Sequence, residues 1–466
     1  MVDARRHSAH GHWLGELPPA EAMPPLQGIE RADVVVIGGG YTGMWAAWTI
    51  TELGPDARVA LLEARRAGEG PSGRNGGFVN GLWFSLPQLR RSFGDTDAIE
   101  IARAAQDAVD RIGTWCEEED VDAHYLRGGY LQASASPAQD GAWEAALLAC
   151  AELGAPERCV PLEEAEIRAR CDSPLFRGGV FYPSAATVHP ARLAAGLRAR
   201  LIERGVGLYE GSPVTRLSVG ADVVAGTRHG EVRAGAAVLA LGSRSGIVPS
   251  LARRLTVTSS HMVVTEPVPD VLEEIGWTGG ESITDSRAMV HYFRTTHDDR
   301  IAFGWGGGHV APGARVDGRS EIDPEITDAV AARLREFFPQ LEGRGIDHAW
   351  GGPIDVSPTH LPVVGSVEPR VHYAFGYTGN GVGPSALTGR ILGMLALERT
   401  DPETRLGIVD PPSVKVPPEP LRYAGGTIIR RALLRKERLE DAGEAVDAIT
   451  REVARIPERM GIHIGR

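Results

Sequence analysis

The sequence predicts an α/β fold in which a parallel βαβ sheet is joined to a second, mainly antiparallel sheet. An apolar strand at residues 32–37 enters a glycine-rich turn and then an apolar helix at residues 44–53. A second apolar strand, Val59–Leu62, follows that helix at the spacing of a βαβ unit. Between residues 255 and 307 longer alternating strands replace this pattern, which is typical of an antiparallel sheet. With 466 residues, 42% of them hydrophobic, the chain is long enough for two or three domains.

The turn after the first strand reads Gly-Gly-Gly-Tyr-Thr-Gly at residues 38–43, a G-x-G-x-x-G pattern. Gly38 permits the tight turn, Gly40 lets backbone N–H groups approach a pyrophosphate, and Gly43 lets the helix pack close to its strand. Glu63 ends the next strand, where a carboxylate can accept hydrogen bonds from a ribose diol. The order of strand, glycines, helix, strand and acid predicts a dinucleotide-binding unit.

A second glycine-rich loop, Glu-Gly-Pro-Ser-Gly-Arg-Asn-Gly-Gly-Phe at residues 69–78, follows closely. Its glycines would let a bulky tricyclic ring lie against the backbone, and Ser72, Arg74 and Asn75 can bond to phosphate or ring. A third such block, residues 373–385, leads into an apolar helix and directs free N–H groups toward an electron-rich group such as a flavin pyrimidine edge. These two blocks favour a flavin over a nicotinamide cofactor.

Composition excludes several classes of function. The net charge of −12 argues against a general nucleic-acid surface, and no stretch approaches the roughly 20 apolar residues of a membrane span. The four cysteines show no metal-binding spacing, so we expect buried free thiols, a cytoplasmic protein and no metal site. Only Lys415 and Lys436 exist, both near the C-terminus, so a catalytic cation in the body of the chain must be arginine or histidine.

The motifs together resemble the D-amino-acid-oxidase-like family of FAD-dependent oxidoreductases, which includes glycine oxidase, sarcosine oxidase and gamma-glutamylputrescine oxidoreductase. The resemblance covers roughly residues 30 to 400 and rests on four ordered blocks: GGGYTG with Glu63, GPSGRNGG, VHPARL with VLALGS, and WGGPIDVSPTHLPVVG with GYTGNGVGPS. The second block is most similar to the gamma-glutamylputrescine oxidoreductase branch. The resemblance implies an FAD-binding Rossmann-like domain and a second substrate domain with a mainly antiparallel sheet.

Carried onto this sequence, the resemblance places the ADP half of FAD against the first glycine block and Glu63, adenine at Val214, and the flavin ring near both later glycine loops. The implied cofactor-binding positions are Gly38, Gly40, Tyr41, Thr42, Gly43, Glu63, Ala64, Arg65, Ser72, Gly73, Arg74, Asn75, Gly76, Gly77, Val214, Gly242, Gly379, Asn380, Gly381 and Val382. Members with covalent flavin use a cysteine near the position of Gly352 or a histidine near that of Arg74. Neither is present here, so non-covalent FAD is expected.

The implied reaction is oxidation of the C–N bond of an amine or amino acid by hydride transfer to flavin N5, giving an imine that water hydrolyses. The candidate catalytic residues are His261, Tyr292, Arg294, Trp305 and Asn380. Strand alternation turns about half of the sheet residues away from the cavity. If Arg294 faces the ring, a carboxylate-bearing substrate is expected; otherwise a neutral or cationic amine fits better.

We expect the reduced flavin to pass its electrons to dioxygen or to another electron acceptor. The lysine that activates dioxygen in sarcosine oxidases has no counterpart here, although a protonated His261 could supply the positive charge. Two other functions stay open: FAD-dependent C–O oxidation of a 2-hydroxyacid-like substrate, and a flavoprotein without turnover that acts as an assembly factor.

The predicted organisation is an N-terminal extension, two interleaved domains and a C-terminal helical extension. The ranges are 1–30 for the extension; 31–95, 155–250 and 350–400 for the FAD-binding domain; 96–154 and 251–349 for the substrate domain; and 401–466 for the tail. The tail is expected to dock on the protein's own surface, with a homodimer contact or a weak contact to an anionic membrane as alternatives.

Overall fold

The computed structural model of the protein describes residues 2–3, 6–316 and 318–464. Eighteen strands lie in these ranges. They are β1 (Gly28–Ile37), β2 (Val59–Leu62), β3 (Phe78–Val79), β4 (Tyr130–Ala133), β5 (Val160–Glu163), β6 (Gly178–Tyr182), β7 (Ala186–Thr187), β8 (Gly207–Tyr209), β9 (Arg216–Val219), β10 (Val223–Gly226), β11 (Gly230–Leu239), β12 (Thr256–Thr265), β13 (Ser282–Asp285), β14 (His291–Thr295), β15 (Ile301–Trp305), β16 (Ile346–Val356), β17 (Val363–Glu368) and β18 (Val371–Phe375).

Thirteen α-helices lie in the same described ranges. They are α1 (Gly11–Gly15), α2 (Tyr41–Leu53), α3 (Pro71–Arg74), α4 (Leu86–Glu118), α5 (Glu144–Glu152), α6 (Glu164–Arg168), α7 (Pro190–Glu203), α8 (Pro269–Glu274), α9 (Pro324–Phe337), α10 (Val382–Ala396), α11 (Leu421–Asp441), α12 (Ala448–Ala454) and α13 (Ile456–Arg459).

The first large sheet has the strand order β17-β18-β11-β1-β2-β8, with β10 and β9 attached to β11. β1 pairs in parallel with both β2 and β11. The second half of β1 is buried on both faces because the sheet lies between helices and a second core layer, which explains its unbroken apolar run. The carboxyl ends of β1, β2 and β11 therefore meet at one edge, where α/β proteins bind their ligands.

The second large sheet has the order β16-β12-β15-β14-β13-β4-β6-β5. Its neighbouring strands are antiparallel except for the parallel pair β13 and β4. Its outer core packs against α9, where Leu334 and Phe337 are fully buried. The predicted fold class, a parallel sheet with a second, mainly antiparallel sheet, is thereby confirmed.

The predicted domain ranges differ from the observed packing at three places. β5 and β6, at residues 160–182, pair with β4 in the second sheet and not with the first, so the range 155–250 starts too early. β16 pairs with β12 of the second sheet as far as Val356, so the predicted start of the late FAD-binding range, residue 350, is also too early. Residues 86–118 form α4, which packs against α10 of the first domain and shares one apolar core with Tyr130 and Tyr182 of the second sheet.

The two ends of the chain lie against the body. The N-terminal segment contains α1, which packs against β16, α3 and α7. In the C-terminal tail, α11 is anchored by the guanidinium of Arg422, which donates to the carbonyls of Ala252 (2.7 Å) and Leu255 (3.1 Å). Docking on the protein's own surface is therefore what the tail does. None of the helices within the described ranges combines the length and the apolarity needed to cross a bilayer.

Candidate cofactor and active site

The turn between β1 and α2 is built for close backbone contact. Gly38 has φ +111°, and a Cβ there would lie 2.3 Å from the carbonyl oxygen of Ala240. A Cβ on Gly43 would lie 1.9 Å from the oxygen of Gly38. Gly40 caps α2 without a side-chain hydrogen bond, so the first turn of this helix presents backbone N–H groups to the neighbouring cavity.

Glu63, at the end of β2, is oriented by the backbone around it. Its Oε2 accepts from the N–H of Gly39 (2.7 Å), and its Oε1 accepts from the N–H of Arg65 (2.8 Å). Both bonds hold the carboxylate at the mouth of the glycine turn, where its remaining lone pairs can accept from hydroxyl groups. Glu63, Ala64 and Arg65 all line the cavity.

The second glycine loop contains the short helix α3, and its polar side chains bond within the protein. Ser72 Oγ accepts from the N–H of Tyr41 (2.9 Å). Asn75 donates through Nδ2 to the carbonyl of Ser72 (2.7 Å) and accepts through Oδ1 from the N–H of Gly77 (2.7 Å). These bonds fix the shape of the loop, and the expected bonding of Ser72 and Asn75 to phosphate or ring stays a prediction.

Arg74, in the same loop, also bonds within the protein. Its buried guanidinium donates to the carbonyl of Ala9 (2.8 Å) and pairs with Glu321 (3.2 Å). Burial lowers the pKa of Arg74, against the raising effect of Glu321. The arginine therefore joins the loop to the N-terminal segment, and its expected contact with phosphate or ring stays a prediction.

The late glycine loop joins β18 to α10. The hydroxyl of Tyr377 lies 2.7 Å from Thr42 Oγ1 and 2.6 Å from Thr388 Oγ1, which ties this loop to α2. Asn380 donates through Nδ2 to the carbonyl of Gly81 (3.2 Å), while its Oδ1 is buried without a hydrogen-bond partner. An orphaned acceptor at this position is matched by a ligand that carries an N–H group.

One cavity of about 910 Å³ connects these loops. Its volume lies at the upper end of the roughly 300–1,000 Å³ range of ligand sites. Of the twenty predicted cofactor-binding residues, all line it except Gly43, Gly73 and Gly77. These three glycines support the loops from behind: a Cβ on Gly77 would lie 2.2 Å from the oxygen of Val188.

The antiparallel sheet forms the opposite wall of the cavity. Tyr292 and Ser260 line it, and their hydroxyl oxygens are 2.7 Å apart. A Cβ on Gly76 would lie 3.1 Å from the ring of Tyr292, so the second glycine loop and this tyrosine are in direct contact. Of the five predicted catalytic residues, only Tyr292 and Asn380 are among the described residues that line the cavity.

His261 points away from the cavity because Ser260 and Met262, its neighbours on β12, point into it. Its Nε2 lies 3.1 Å from Ser259 Oγ, and burial lowers its pKa to about 4. The expectation that a protonated His261 supplies positive charge at the site is therefore wrong: the imidazole is neutral at pH 7 and lies behind the strand.

Arg294 is also turned away from the cavity. Its guanidinium donates to the carbonyls of Val188 (2.6 Å) and Thr295 (2.9 Å), and burial alone lowers its pKa to about 10. The condition for a carboxylate-binding role, that Arg294 faces the ring, is not met.

Trp305 does not line the cavity either. It donates through Nε1 to the carbonyl of Met289 (3.0 Å) and supports the wall from outside.

The C-terminal tail supplies part of the cavity wall that sequence reasoning did not foresee. The lining residues of α11 and the segment after it are mostly aliphatic: Leu421, Ile428, Ile429, Leu433, Ile456, Met460 and Ile462. Arg430 lies among them and donates through Nε to the carbonyl of Gly307 (2.8 Å). The apolar spacing of Val446, Ile449, Val453 and Ile456 was the available sequence signal, and only the last of these four lines the cavity.

The residues fit FAD: Gly38, Gly43 and Gly77 leave no room for a Cβ, a carboxylate stands at the ribose position of a dinucleotide site, and a buried amide oxygen lacks a partner among the described residues. Residues 33–395 match the family model described as FAD dependent oxidoreductase (DAO). The chain belongs to this family. The resemblance drawn from the four sequence blocks is confirmed, and the protein is an FAD-dependent oxidoreductase.

The chain is similar to two curated relatives and to one solved structure. Gamma-glutamylputrescine oxidoreductase of Escherichia coli is 30% identical over 78% of this chain and 83% of that protein. The probable oxidoreductase OrdL of Haemophilus influenzae is 28% identical over 88% of this chain and 90% of its own length. Glycine oxidase from Geobacillus kaustophilus has the same fold, with a TM-score of 0.65 at 19% identity over 80% of this chain and 96% of that chain.

Proposed function

We propose that the protein oxidises the C–N bond of an amine or amino acid with non-covalently held FAD, and that the resulting imine is hydrolysed. When bound, FAD would supply the hydride acceptor. The residues that would hold it are those of the two N-terminal glycine loops, Glu63, and the loop from Gly379 to Val382. The observation that carries the proposal is the similarity to gamma-glutamylputrescine oxidoreductase of Escherichia coli, at 30% identity over 78% of this chain and 83% of that protein.

That wall consists of cavity-lining residues on β12, β14 and β16. Among them, Ser260 and Tyr292 bond to each other and Met262 is apolar. The carboxylate of Asp355 accepts from the N–H of Gly376 (2.6 Å), and burial raises its pKa to about 6. An alcohol must lose its hydroxyl proton to a base as hydride departs, whereas a neutral amine uses its own lone pair. A C–N oxidation therefore needs no base from this wall, whereas a C–O oxidation would draw on a base such as Asp355, which is mostly ionised at pH 7.

The aliphatic side chains of the tail favour a substrate that is partly apolar. Ile428, Ile429 and Met460 line the same cavity as Tyr292. With Arg294 committed to backbone carbonyls, the sheet offers no guanidinium fork for a substrate carboxylate. We therefore propose an amine with an aliphatic portion, held by apolar contact and by the Tyr292 and Ser260 hydroxyls.

Oxidation of a C–O bond is the second candidate, and one observation favours it. His360 and His463 both line the cavity, and their ring centroids are 5.3 Å apart. Either imidazole could accept a hydroxyl proton.

The test is an anaerobic titration of the purified, FAD-loaded protein, followed by its visible flavin spectrum. Aliphatic amines, N-methyl amino acids and 2-hydroxyacids are added in turn, and His360→Gln and His463→Gln variants are run beside the wild type. We expect an amine to bleach the flavin, with less than a fivefold rate change in either variant. Bleaching by a 2-hydroxyacid that slows by about 10²-fold or more in one variant would establish the C–O reaction instead.

Readmitting air to the reduced protein tests whether dioxygen is the electron acceptor. Reoxidation of the flavin supports dioxygen, and a flavin that stays reduced supports another electron acceptor. Precipitating the protein with acid tests the attachment of FAD: release of the flavin into the supernatant supports non-covalent binding. A spectrum that no compound bleaches would support the assembly-factor alternative. A cytoplasmic location and a homodimer stay predictions.

A further inference from the structure

A cluster of imidazoles and carboxylates lies on the N-terminal segment, outside the cavity. His12, on α1, is only 2% exposed and packs against the ring of Trp13, with ring centroids 4.9 Å apart. The His348 ring lies 5.3 Å from the His12 ring. Neither the FAD site nor the proposed reaction uses any of these groups.

Ligand atoms from three residues converge here. One atom each from His12, Glu16 and Asp298 lie within 4.8 Å of one another. His12 Nε2 is 3.5 Å from Glu16 Oε1. Two ligands of a tetrahedral zinc ion with bonds of about 2.0–2.1 Å stand roughly 3.3–3.5 Å apart, so this spacing fits with little movement.

The imidazole of His12 provides an independent indication. Neither of its ring nitrogens has a hydrogen-bond partner among the described residues, although the side chain is almost fully buried. Buried polar atoms in native proteins are normally satisfied by protein, water or an ion. Burial also lowers the pKa of His12 to about 4, so the ring is neutral at pH 7, the form that binds metal.

Glu16 is already held in place by a hydrogen bond from His189. His189 Nδ1 accepts from the N–H of Arg192 (3.2 Å), which places the His189 proton on Nε2. That Nε2 donates to Glu16 Oε2 (2.9 Å) and leaves Oε1 facing His12. Such outer hydrogen bonds fix ligands around protein metals.

Asp298 is held in a similar way. Its Oδ1 accepts from Thr296 Oγ1 (2.6 Å), and its Oδ2 accepts from Arg300 Nε (2.5 Å). The positive charge of Arg300 is shared with Asp347 (2.6 Å). The charges of Asp298 and Asp347 are set against those of Arg300 and Arg6, so Glu16 supplies the net negative charge that a divalent cation would meet. Glu16 and Asp298 side chains are 27% and 29% exposed, which leaves a path from solvent.

We propose that His12, Glu16 and Asp298 form a binding site for a divalent first-row transition metal, with Zn²⁺ as the best match to one imidazole and two carboxylates. A solvent molecule would complete the coordination. This differs from the sequence-based expectation that the protein has no metal site.

The ion would join the N-terminal segment to the turn between β14 and β15. That segment in turn supports the second glycine loop, because Arg74 donates to the carbonyl of Ala9 (2.8 Å). Trp350 donates through Nε1 to the carbonyl of Arg74 (2.8 Å) and packs edge-on against Trp13 (6.4 Å between ring centroids). The role is structural: the metal would hold one wall of the cavity from behind.

The test uses the full-length protein, purified without a histidine tag, treated with chelator and dialysed. Zn²⁺ is added at micromolar concentration, bound metal per chain is measured by mass spectrometry, and thermal unfolding is followed with and without Zn²⁺. We expect one Zn²⁺ per chain and an increase of several degrees in the unfolding temperature. Glu16→Gln and Asp298→Asn should lower the zinc affinity at least tenfold and abolish the temperature increase.

Matched controls are His10→Gln, on an exposed histidine two residues before His12, and Asp299→Asn, on the exposed neighbour of Asp298. Both should bind Zn²⁺ like the wild type. The proposal is overturned if the wild type binds no stoichiometric Zn²⁺, or if His10→Gln lowers binding as much as Glu16→Gln does. Circular dichroism of the metal-free variants shows whether each one folds, and a Co²⁺ spectrum reports the ligand set in any variant that does.

Discussion

At the scale of single residues, Gly43 is where the cofactor loop tolerates least change. A Cβ there would lie 1.9 Å from the backbone oxygen of Gly38, which cannot move without opening the turn. We expect Gly43→Ala to weaken FAD binding by about 1–3 kcal/mol, roughly 5- to 150-fold. Fluorescence titration of the apoprotein with FAD measures this.

The control for Gly43 is Gly220→Ala, at an exposed glycine whose added Cβ would contact only the Asp222 oxygen, at 3.9 Å. It should leave FAD affinity unchanged. Equal affinity in Gly43→Ala and wild type would mean that α2 can shift away from β1 at no cost, contrary to the packing described.

His261 differs from what the sequence indicated, and its burial gives a pH prediction. Its folded-state pKa is about 4, against an ordinary value of 6.5. The unfolded chain therefore takes up a proton below pH 6.5 that the folded chain refuses until about pH 4. Stability from this residue is present above pH 6.5 and is lost as the pH falls toward 4, by up to about 3 kcal/mol.

His261→Gln should flatten this part of the stability curve, measured by urea unfolding at pH 7.5 and pH 5. It should leave the rate of flavin reduction at pH 7.5 unchanged, because the side chain lies behind β12. His297→Gln, at an exposed histidine, is the control and should keep the wild-type pH slope. A large loss of reduction rate in His261→Gln alone would restore the catalytic role expected from the sequence.

Single positions show where sequence reasoning stops. The glycine loops could be located because close approach leaves only glycine possible at Gly38 and Gly43. Which side of β12 faces the cavity could not, because Ser260, His261 and Met262 are all buried or half-buried and the strand shows no polar alternation. The sequence therefore does not show whether His261 or Ser260 points into the cavity.

At the scale of elements, the docking of α11 depends on a buried carboxyl group. Glu437 accepts from the N–H of Met289 (3.1 Å), and burial raises its pKa to about 7. Between pH 4.5 and 7 the folded protein binds a proton that the unfolded chain does not. Stability therefore falls as the pH rises through this window, by up to about 3 kcal/mol.

Glu437→Gln keeps the acceptor and removes the charge. We expect the variant to be more stable than the wild type at pH 8 and no more stable at pH 4.5, by thermal or urea unfolding. Glu444→Gln, at an exposed position just beyond the helix, should change stability by less than about 0.5 kcal/mol at either pH. A variant less stable than the wild type at pH 8 would show that the carboxylate is held charged by Arg287.

Some helices and strands could be predicted from the sequence better than others. α2 and α10 were recognisable because glycine loops precede their apolar runs. The domain membership of β5 and β6 was not, since short strands pair with whichever edge tertiary packing supplies.

At the scale of the whole molecule, the chain crosses between its domains several times. This interleaving places the sheet wall opposite the nucleotide loops, and local sequence patterns give no measure of such long-range pairing. The tail is the clearest case. Its heptad-like apolar positions Val446, Ile449, Val453 and Ile456 suit a dimer contact, yet only Ile456 of these four is among the described residues that line the cavity.

The last prediction concerns this tail. Ile428 and Ile449 are both exposed isoleucines of the tail, at 56% and 77%, but only Ile428 lines the cavity. If the tail serves the site, Ile428→Ser should raise the substrate concentration needed for half-maximal flavin reduction about three- to tenfold, because apolar contact with the substrate is lost. Ile449→Ser should leave this concentration unchanged.

The molecular masses measured by light scattering should be equal for the wild type and both variants. A lower mass in Ile449→Ser, with unchanged catalysis in Ile428→Ser, would instead show that the exposed side of the tail joins two chains and that the cavity wall does not need it.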